Sequence, residues 1–207
     1  MSGPLVVFGA GGHGKVVCDI LLECGETVAG FLDDGKKPGD RILLDYAVLG
    51  GMDWLRKNPT ASVALGIGAN RAREKIADAC RELGVALKTA IHPRAIVSRT
   101  ALVEEGVVVM ALAVINADAR IERGTIINTA AVIEHDCAVG PFAHISPNAA
   151  LAGNCTVHAR AHLGIGAAML PGTSIGEDAT VGGGALVARD IEARRVATGV
   201  PARIRPD

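Results

Sequence analysis

Read in blocks of six, residues 91–190 are IHPRAI VSRTAL VEEGVV VMALAV INADAR IERGTI INTAAV IEHDCA VGPFAH ISPNAA LAGNCT VHARAH LGIGAA MLPGTS IGEDAT VGGGAL VARD. The first letter of every block, from Ile91 through Ile133 to Val187, is aliphatic without interruption. The fifth letter, from Ala95 to Ala185, is small or slender: mostly Ala, otherwise Val, Thr or Cys. A period of six fits neither a helix nor an alternating strand. It is the signature of a β-helix in which one hexad makes a short strand and its corner, and three hexads close a triangular coil. Coils then stack at the distance of paired strands, about 4.8 Å. The aliphatic column fills the prism, and the small column lets the chain turn. No single coil buries its own core, so stacking supplies the stability.

Upstream of the hexads the pattern changes. Leu5–Phe8 reads as a strand, Lys15–Cys24 as a helix ended by Gly25, and Thr27–Leu32 as a strand ending in Asp33 and Asp34. Met52–Lys57 reads as a short helix, Ser62–Ile67 as a strand ending at Gly68, and Arg71–Leu83 as an amphipathic helix closed by Gly84. This predicts a β-α-β domain over residues 1–88, half of a doubly wound unit. The β-helix, with its C-terminal tail, takes residues 89–207.

Between the first strand and helix lies GAGGHGKV, residues 9–16. Glycines there let the backbone approach a phosphate, and the helix N-terminus adds unpaired N–H groups and positive potential. ATP is disfavoured, because a Walker loop needs Ser or Thr after its lysine and this chain has Val16. A dinucleotide is disfavoured too, because the β-helix begins where the second half of a dinucleotide fold would stand. A single-nucleotide ligand suits a half-domain better.

Composition removes other classes. A net charge of −1 lacks the basic surplus of a nucleic-acid binder, and 2% aromatic residues leave few stacking platforms. The five cysteines are odd in number and scattered, with no C-x-x-C pair, so they read as reduced thiols and not as a disulfide frame or zinc site. No apolar run is long enough to span a membrane, and the N-terminus lacks the basic start of a signal peptide. A cytoplasmic protein is expected, with no nucleic-acid or membrane partner.

GAGGHG, FLDD, GIGAN, INTAAVIEHDC, GPFAHIS, AGNCTV, GGGALV and GVPAR occur in that order along essentially the whole chain. In this the chain resembles the bacterial sugar O- and N-acyltransferases, a family of left-handed hexapeptide-repeat β-helices. The resemblance implies a homotrimer with active sites between subunits and acetyl-CoA in the groove between prisms. It implies acetyl transfer to the amine of a nucleotide-linked 4-amino-4,6-dideoxy sugar, with GDP-perosamine favoured and a UDP-sugar second. The product would feed an O-antigen or another surface glycan. Gly11, Gly12 and His13 would meet the diphosphate and sugar, and Asp33, Asp34 and Gly68 the nucleoside side. Asn128 would touch the sugar. His144, Ile165 and Gly183 would meet acetyl-CoA, and no metal is called for.

The chemistry needs a neutral amine that attacks a thioester and then loses a proton, work suited to a neutral histidine. His135 lies in IEHD between Glu134 and Asp136. A carboxylate on one ring nitrogen fixes the tautomer and raises the basicity of the other. With the family match, this points to His135 as general base and Asp136 as its partner. His144 and His162 are one coil apart and should stack. O-acetylation of a sialic acid is the nearest alternative. A γ-class carbonic anhydrase-like zinc enzyme using His144, His158 and His162, or a non-catalytic sugar-nucleotide sensor, would leave either the N-terminal half or IEHD without a purpose.

Overall fold

The computed structural model describes residues 3–205, which divide into two compact units at Pro93/Arg94. The first unit holds β1 (Leu5–Phe8), α1 (Gly12–Glu23), β2 (Val28–Leu32), β3 (Arg41–Leu43), β4 (Tyr46–Gly50), α2 (Met52–Lys57), β5 (Ser62–Leu65), α3 (Asn70–Glu82) and β6 (Ala86–Leu87). Its sheet has the order β3-β4-β2-β1-β5-β6, parallel throughout except for the β3–β4 hairpin. β1 is fully buried as LVVF, as a central parallel strand covered on both faces must be.

Three glycines lock β1, α1 and β5 together. A Cβ on Gly14 would lie 1.9 Å from the Gly9 carbonyl oxygen, and one on Gly66 would lie 2.8 Å from Gly14 Cα. Gly9 itself takes φ +108, and a Cβ there would meet the Gly66 oxygen at 2.6 Å. The backbones of a strand end, a helix start and a neighbouring strand end therefore touch where no side chain fits.

The second unit is a stack of two-residue strands, each paired in parallel with the strand 18 residues on. Val114 pairs with Val132, Ile126 with His144, and Ala138 with Thr156. Three sheets result, one per face of the prism. From Val109 to Val187 every first-letter residue is at most 2% exposed, and the fifth-letter residues from Ala113 to Ala185 are buried beside them. Cys137 and Cys155 belong to this buried column, as core packing requires. Each fully buried aliphatic side chain contributes on the order of 2 kcal/mol.

The corners obey a further rule. The fourth residue of every hexad from Gly106 to Gly184 has a positive φ, near +60. Gly, Asn and Asp adopt that conformation cheaply and fill most of these positions. Leu112, Ala130, Phe142 and Arg160 adopt it as well, held by the ladder above and below. The array ends in an antiparallel pair, Val196–Thr198 with Arg203–Ile204. Among the described residues no helix is long and apolar enough to cross a membrane.

Candidate active site

His135 and Asp136 occupy the third and fourth places of their hexad and form an exposed corner of the prism. Asp136 takes the left-handed conformation, φ +60, and its N–H donates to the Ala117 carbonyl at 3.1 Å. The His135 carbonyl accepts from Asn154 N–H at 2.9 Å. With both backbones pinned, His135 Nδ1 lies 2.8 Å from Asp136 Oδ2. That hydrogen bond, aided by the charges of Asp136 and Glu134, raises the imidazole above its ordinary pKa of 6.5. A proton on Nδ1 leaves Nε2 with the free lone pair of a base. Glu134 itself accepts from Asn116 Nδ2 at 2.8 Å.

The His135 ring does not point straight outward. It leans along the edge over Gly153, one coil away, where a Cβ would lie 2.6 Å from both Cε1 and Nε2. Sequence reading passed over Gly153, because the relation spans 18 residues and shows only as a missing side chain.

A second edge carries the other histidines. His144 and His162 pair in register, their rings parallel within 3° and 4.9 Å apart. Asn128 Nδ2 lies 3.0 Å from His144 Nε2, and Ser146 Oγ lies 2.8 Å from His162 Nε2. Asn128 Oδ1 also accepts from Thr129 N–H at 2.8 Å, so this amide is occupied on both sides within the chain. Beyond His162 the exposed Ile165 leans over Gly183, where a Cβ would meet Ile165 Cγ2 at 3.0 Å. The 18-residue register puts His144, Ile165 and Gly183 on one prism edge and His135 on another. His158 is exposed.

In the first unit the loops after β1 and β5 are neighbours, tied by Gly66 N–H to the Phe8 carbonyl at 2.7 Å. Gly11, Gly12 and Gly68 lie there with nothing within 4 Å of where a Cβ would stand. Packing explains Gly9, Gly14 and Gly66 but not these three. His13, in the first turn of α1, has its Nε2 buried without a hydrogen-bond partner among the described residues, and burial holds its pKa down at about 4, aided by nearby Arg73. Arg73 is fully buried and donates to the carbonyls of Ile67 at 3.1 Å and Gly68 at 3.0 Å, fixing the β5 loop. Sequence reading missed Arg73, which looks like an ordinary helix-surface cation.

The acidic pair is put to work on the backbone. Asp33 Oδ2 accepts from Ala10 N–H and Oδ1 from Gly35 N–H, each at 2.9 Å, so Asp33 fastens the glycine loop to the end of β2. Asp34 Oδ1 accepts from Met52 N–H at 2.8 Å, at the start of α2. Among the described residues no His, Cys, Asp or Glu group is arranged to hold a metal ion.

Residues 4–80 match the model of the PglD N-terminal domain. The chain is 39% identical over 122 residues to the UDP-N-acetylbacillosamine N-acetyltransferase of Bacillus subtilis (strain 168), a match spanning 52% of this chain and about half, 51%, of that one. It is 43% identical, with a TM-score of 0.94, to a histidine-to-alanine variant of GDP-perosamine N-acetyltransferase from Caulobacter crescentus, solved with CoA and GDP-perosamine; the match covers 100% of this chain and 99% of that one. It is 36% identical, with a TM-score of 0.92, to the acetyltransferase domain of PglB from Neisseria gonorrhoeae FA1090 in complex with acetyl coenzyme A, covering 99% of this chain and 100% of that one. The fold is therefore a mixed α/β unit followed by a left-handed parallel β-helix, and the chain belongs to the bacterial sugar N-acetyltransferases of the PglD and perosamine N-acetyltransferase type.

Proposed function

We propose that this chain transfers acetyl from acetyl-CoA to the amino group of a nucleotide-linked 4-amino-4,6-dideoxy sugar, with GDP-perosamine the favoured acceptor. The observation that carries the reading is the His135–Asp136 pair, a 2.8 Å contact on an exposed corner, in a chain alike over its full length to a relative solved with CoA and GDP-perosamine.

The neutral sugar amine attacks the thioester carbon, and a C–N bond forms as the carbonyl oxygen takes negative charge. His135 Nε2 accepts the amine proton, and Asp136 steadies the resulting imidazolium through Nδ1–H. The oxyanion collapses, the C–S bond breaks, and the CoA sulfur leaves with the electron pair. The proton held on His135 returns to that sulfur, giving the amide and free CoA thiol.

The nucleotide-sugar is assigned to the glycine loop. Gly11, Gly12 and Gly68 leave the backbone bare without a packing reason, and the buried, unsatisfied His13 Nε2 lacks a partner that a bound ligand would supply. Asp33 and Asp34 shape that site by ordering its backbone. Acetyl-CoA is assigned to the edge of His144, Ile165 and Gly183. Base and cosubstrate edges differ within one chain, so a complete site takes one edge from each of two subunits. A cyclic trimer with three such sites satisfies this. A cytoplasmic location fits this reading, and no helix among the described residues is long and apolar enough to cross a membrane.

Thiol release from acetyl-CoA, followed against GDP- and UDP-linked 4-amino-4,6-dideoxy sugars and CMP-sialic acid, tests the assignment. Fast release on an amino sugar supports it. Release on the sialic acid alone means O-acetylation. Mixing His135→Ala subunits with Gly183→Trp subunits tests the shared site: two inactive parents should regain part of the activity on subunit exchange.

A further inference from the structure

The base and its carboxylate are adjacent in sequence, yet adjacency alone does not bring their side chains together. In extended or turn backbone, neighbouring side chains diverge, so something must turn the His135 ring toward Asp136. The Asp136 backbone is fixed by the left-handed corner, and the His135 backbone by the Asn154 hydrogen bond. What remains is the rotation of the two side chains, both largely exposed, and the imidazole is the one that lies over the neighbouring coil.

The ring lies over the backbone of Gly153, where a Cβ would stand 2.6 Å from both Cε1 and Nε2. The device recurs in this prism. Phe142 lies over Gly124, where a Cβ would approach the ring to 2.3 Å, and Ile165 lies over Gly183. In each case a side chain leans along the stack onto a glycine 18 residues away. Gly124 has a positive φ, which alone would favour glycine. Gly153 does not, so its backbone would accept alanine without strain. The three nearest atoms that a Cβ at Gly153 would meet all belong to the His135 ring.

We propose that Gly153 is a positioning residue for the base: the missing side chain there is what lets the His135 ring lie along the prism edge with Nδ1 against Asp136. A methyl group at 153 would push Cε1 and Nε2 outward and break the contact, while the core stays intact. The catalytic consequence rests on His135 acting as general base; the geometric one does not.

The experiment is Gly153→Ala, alone and combined with His135→Ala, in the full-length protein. The imidazole of His135 is titrated by NMR, and kcat and both KM values are measured across pH. Gly153→Ala should melt near the wild-type temperature. Its His135 pKa should fall toward the ordinary imidazole value, because the Asp136 hydrogen bond is lost, and the acid limb of the rate profile should move down with it. The turnover number should drop roughly 10- to 100-fold, with both KM values within a few-fold. In the His135→Ala background the same change should alter neither stability nor residual rate, since no ring remains to displace. If Gly153→Ala is too unstable to assay, the double variant should restore folding. An unchanged His135 titration in Gly153→Ala overturns the proposal, as does a further loss of rate or stability in the His135→Ala background. A normal titration shift with no acetyl transfer by the wild-type protein would instead remove the functional reading and leave the positioning intact.

Discussion

The imidazole of His144 lies flat on that of His162, with ring centroids 4.9 Å apart and planes within 3° of parallel. The two residues are one coil apart, and each Nε2 has its own polar partner, Asn128 or Ser146. The stack fixes the plane of His144, the residue assigned to acetyl-CoA. His162→Ala should cost about 1 kcal/mol in chemical denaturation, the value of a lost aromatic contact. It should raise the KM for acetyl-CoA several-fold while leaving the KM for the nucleotide-sugar unchanged. His162→Phe should restore most of both.

Asp136→Asn separates charge from shape. Asparagine adopts the left-handed corner as readily as aspartate, so the fold should hold. The charge that raises His135 is gone, and the amide oxygen accepts from Nδ1–H only as a weaker, neutral partner, so the pKa falls. Activity as a base is lost as pH drops through the folded pKa, so the acid limb of kcat/KM should move to lower pH, with a reduced plateau. Asp136→Ala loses the hydrogen bond as well, so it should show a larger shift and an added loss of about 1 kcal/mol of stability, because alanine pays the left-handed penalty. Denaturation and pH–rate profiles of the two variants distinguish these effects.

Glycines of the N-terminal unit should divide into two groups. Gly14→Ala places a carbon 1.9 Å from the Gly9 oxygen and should destabilise the unit by several kcal/mol or prevent its folding. Gly12→Ala and Gly68→Ala meet nothing within 4 Å and should leave the melting temperature within a few degrees. Calorimetric binding of the nucleotide-sugar should weaken in the latter two, if the bare backbone there is where the ligand lies.

His13 makes stability depend on acid. Its folded pKa is about 4, against 6.5 for an ordinary imidazole, so the unfolded chain binds the extra proton between those values. The contribution is fully present above pH 6.5 and is lost as pH falls through about 4. On the order of 3 kcal/mol is at stake. Urea midpoints between pH 7.5 and 4 should fall more steeply for wild type than for His13→Gln, which cannot take up the proton.

Much of this was legible in the sequence. The first and fifth columns of the hexads identified the prism, because core burial forces the same residue types every six positions. The left-handed fourth column was not read, although Asp118, Asn148, Asn154 and Gly166 stand in it; Leu112, Phe142 and Arg160 break the compositional pattern, since the ladder imposes the conformation on them. The β3–β4 hairpin was missed because Arg41–Gly50 lacks strict alternation and turns at Leu44, φ +49. α1 begins at Gly12, three residues before the expected Lys15, because packing overrides the poor helix propensity of GHG. Around the candidate site, the acidic flanks of His135 singled out the histidine that the fold pairs with Asp136. The backbone contacts of Asp33 with the glycine loop were not legible, and Gly153 and Arg73 make contacts that only the folded chain creates.

The central claim is that acetyl goes to a sugar nitrogen with His135 as base. The most direct measurement incubates the protein, or His135→Ala, with acetyl-CoA and GDP-perosamine and identifies the product by mass and NMR while thiol release is timed. The account predicts a single amide on the sugar amine, formed in step with free CoA, and a rate at least 10-fold lower in the variant. An ester on a sugar hydroxyl, or amide formation that His135→Ala leaves at the wild-type rate, would contradict it.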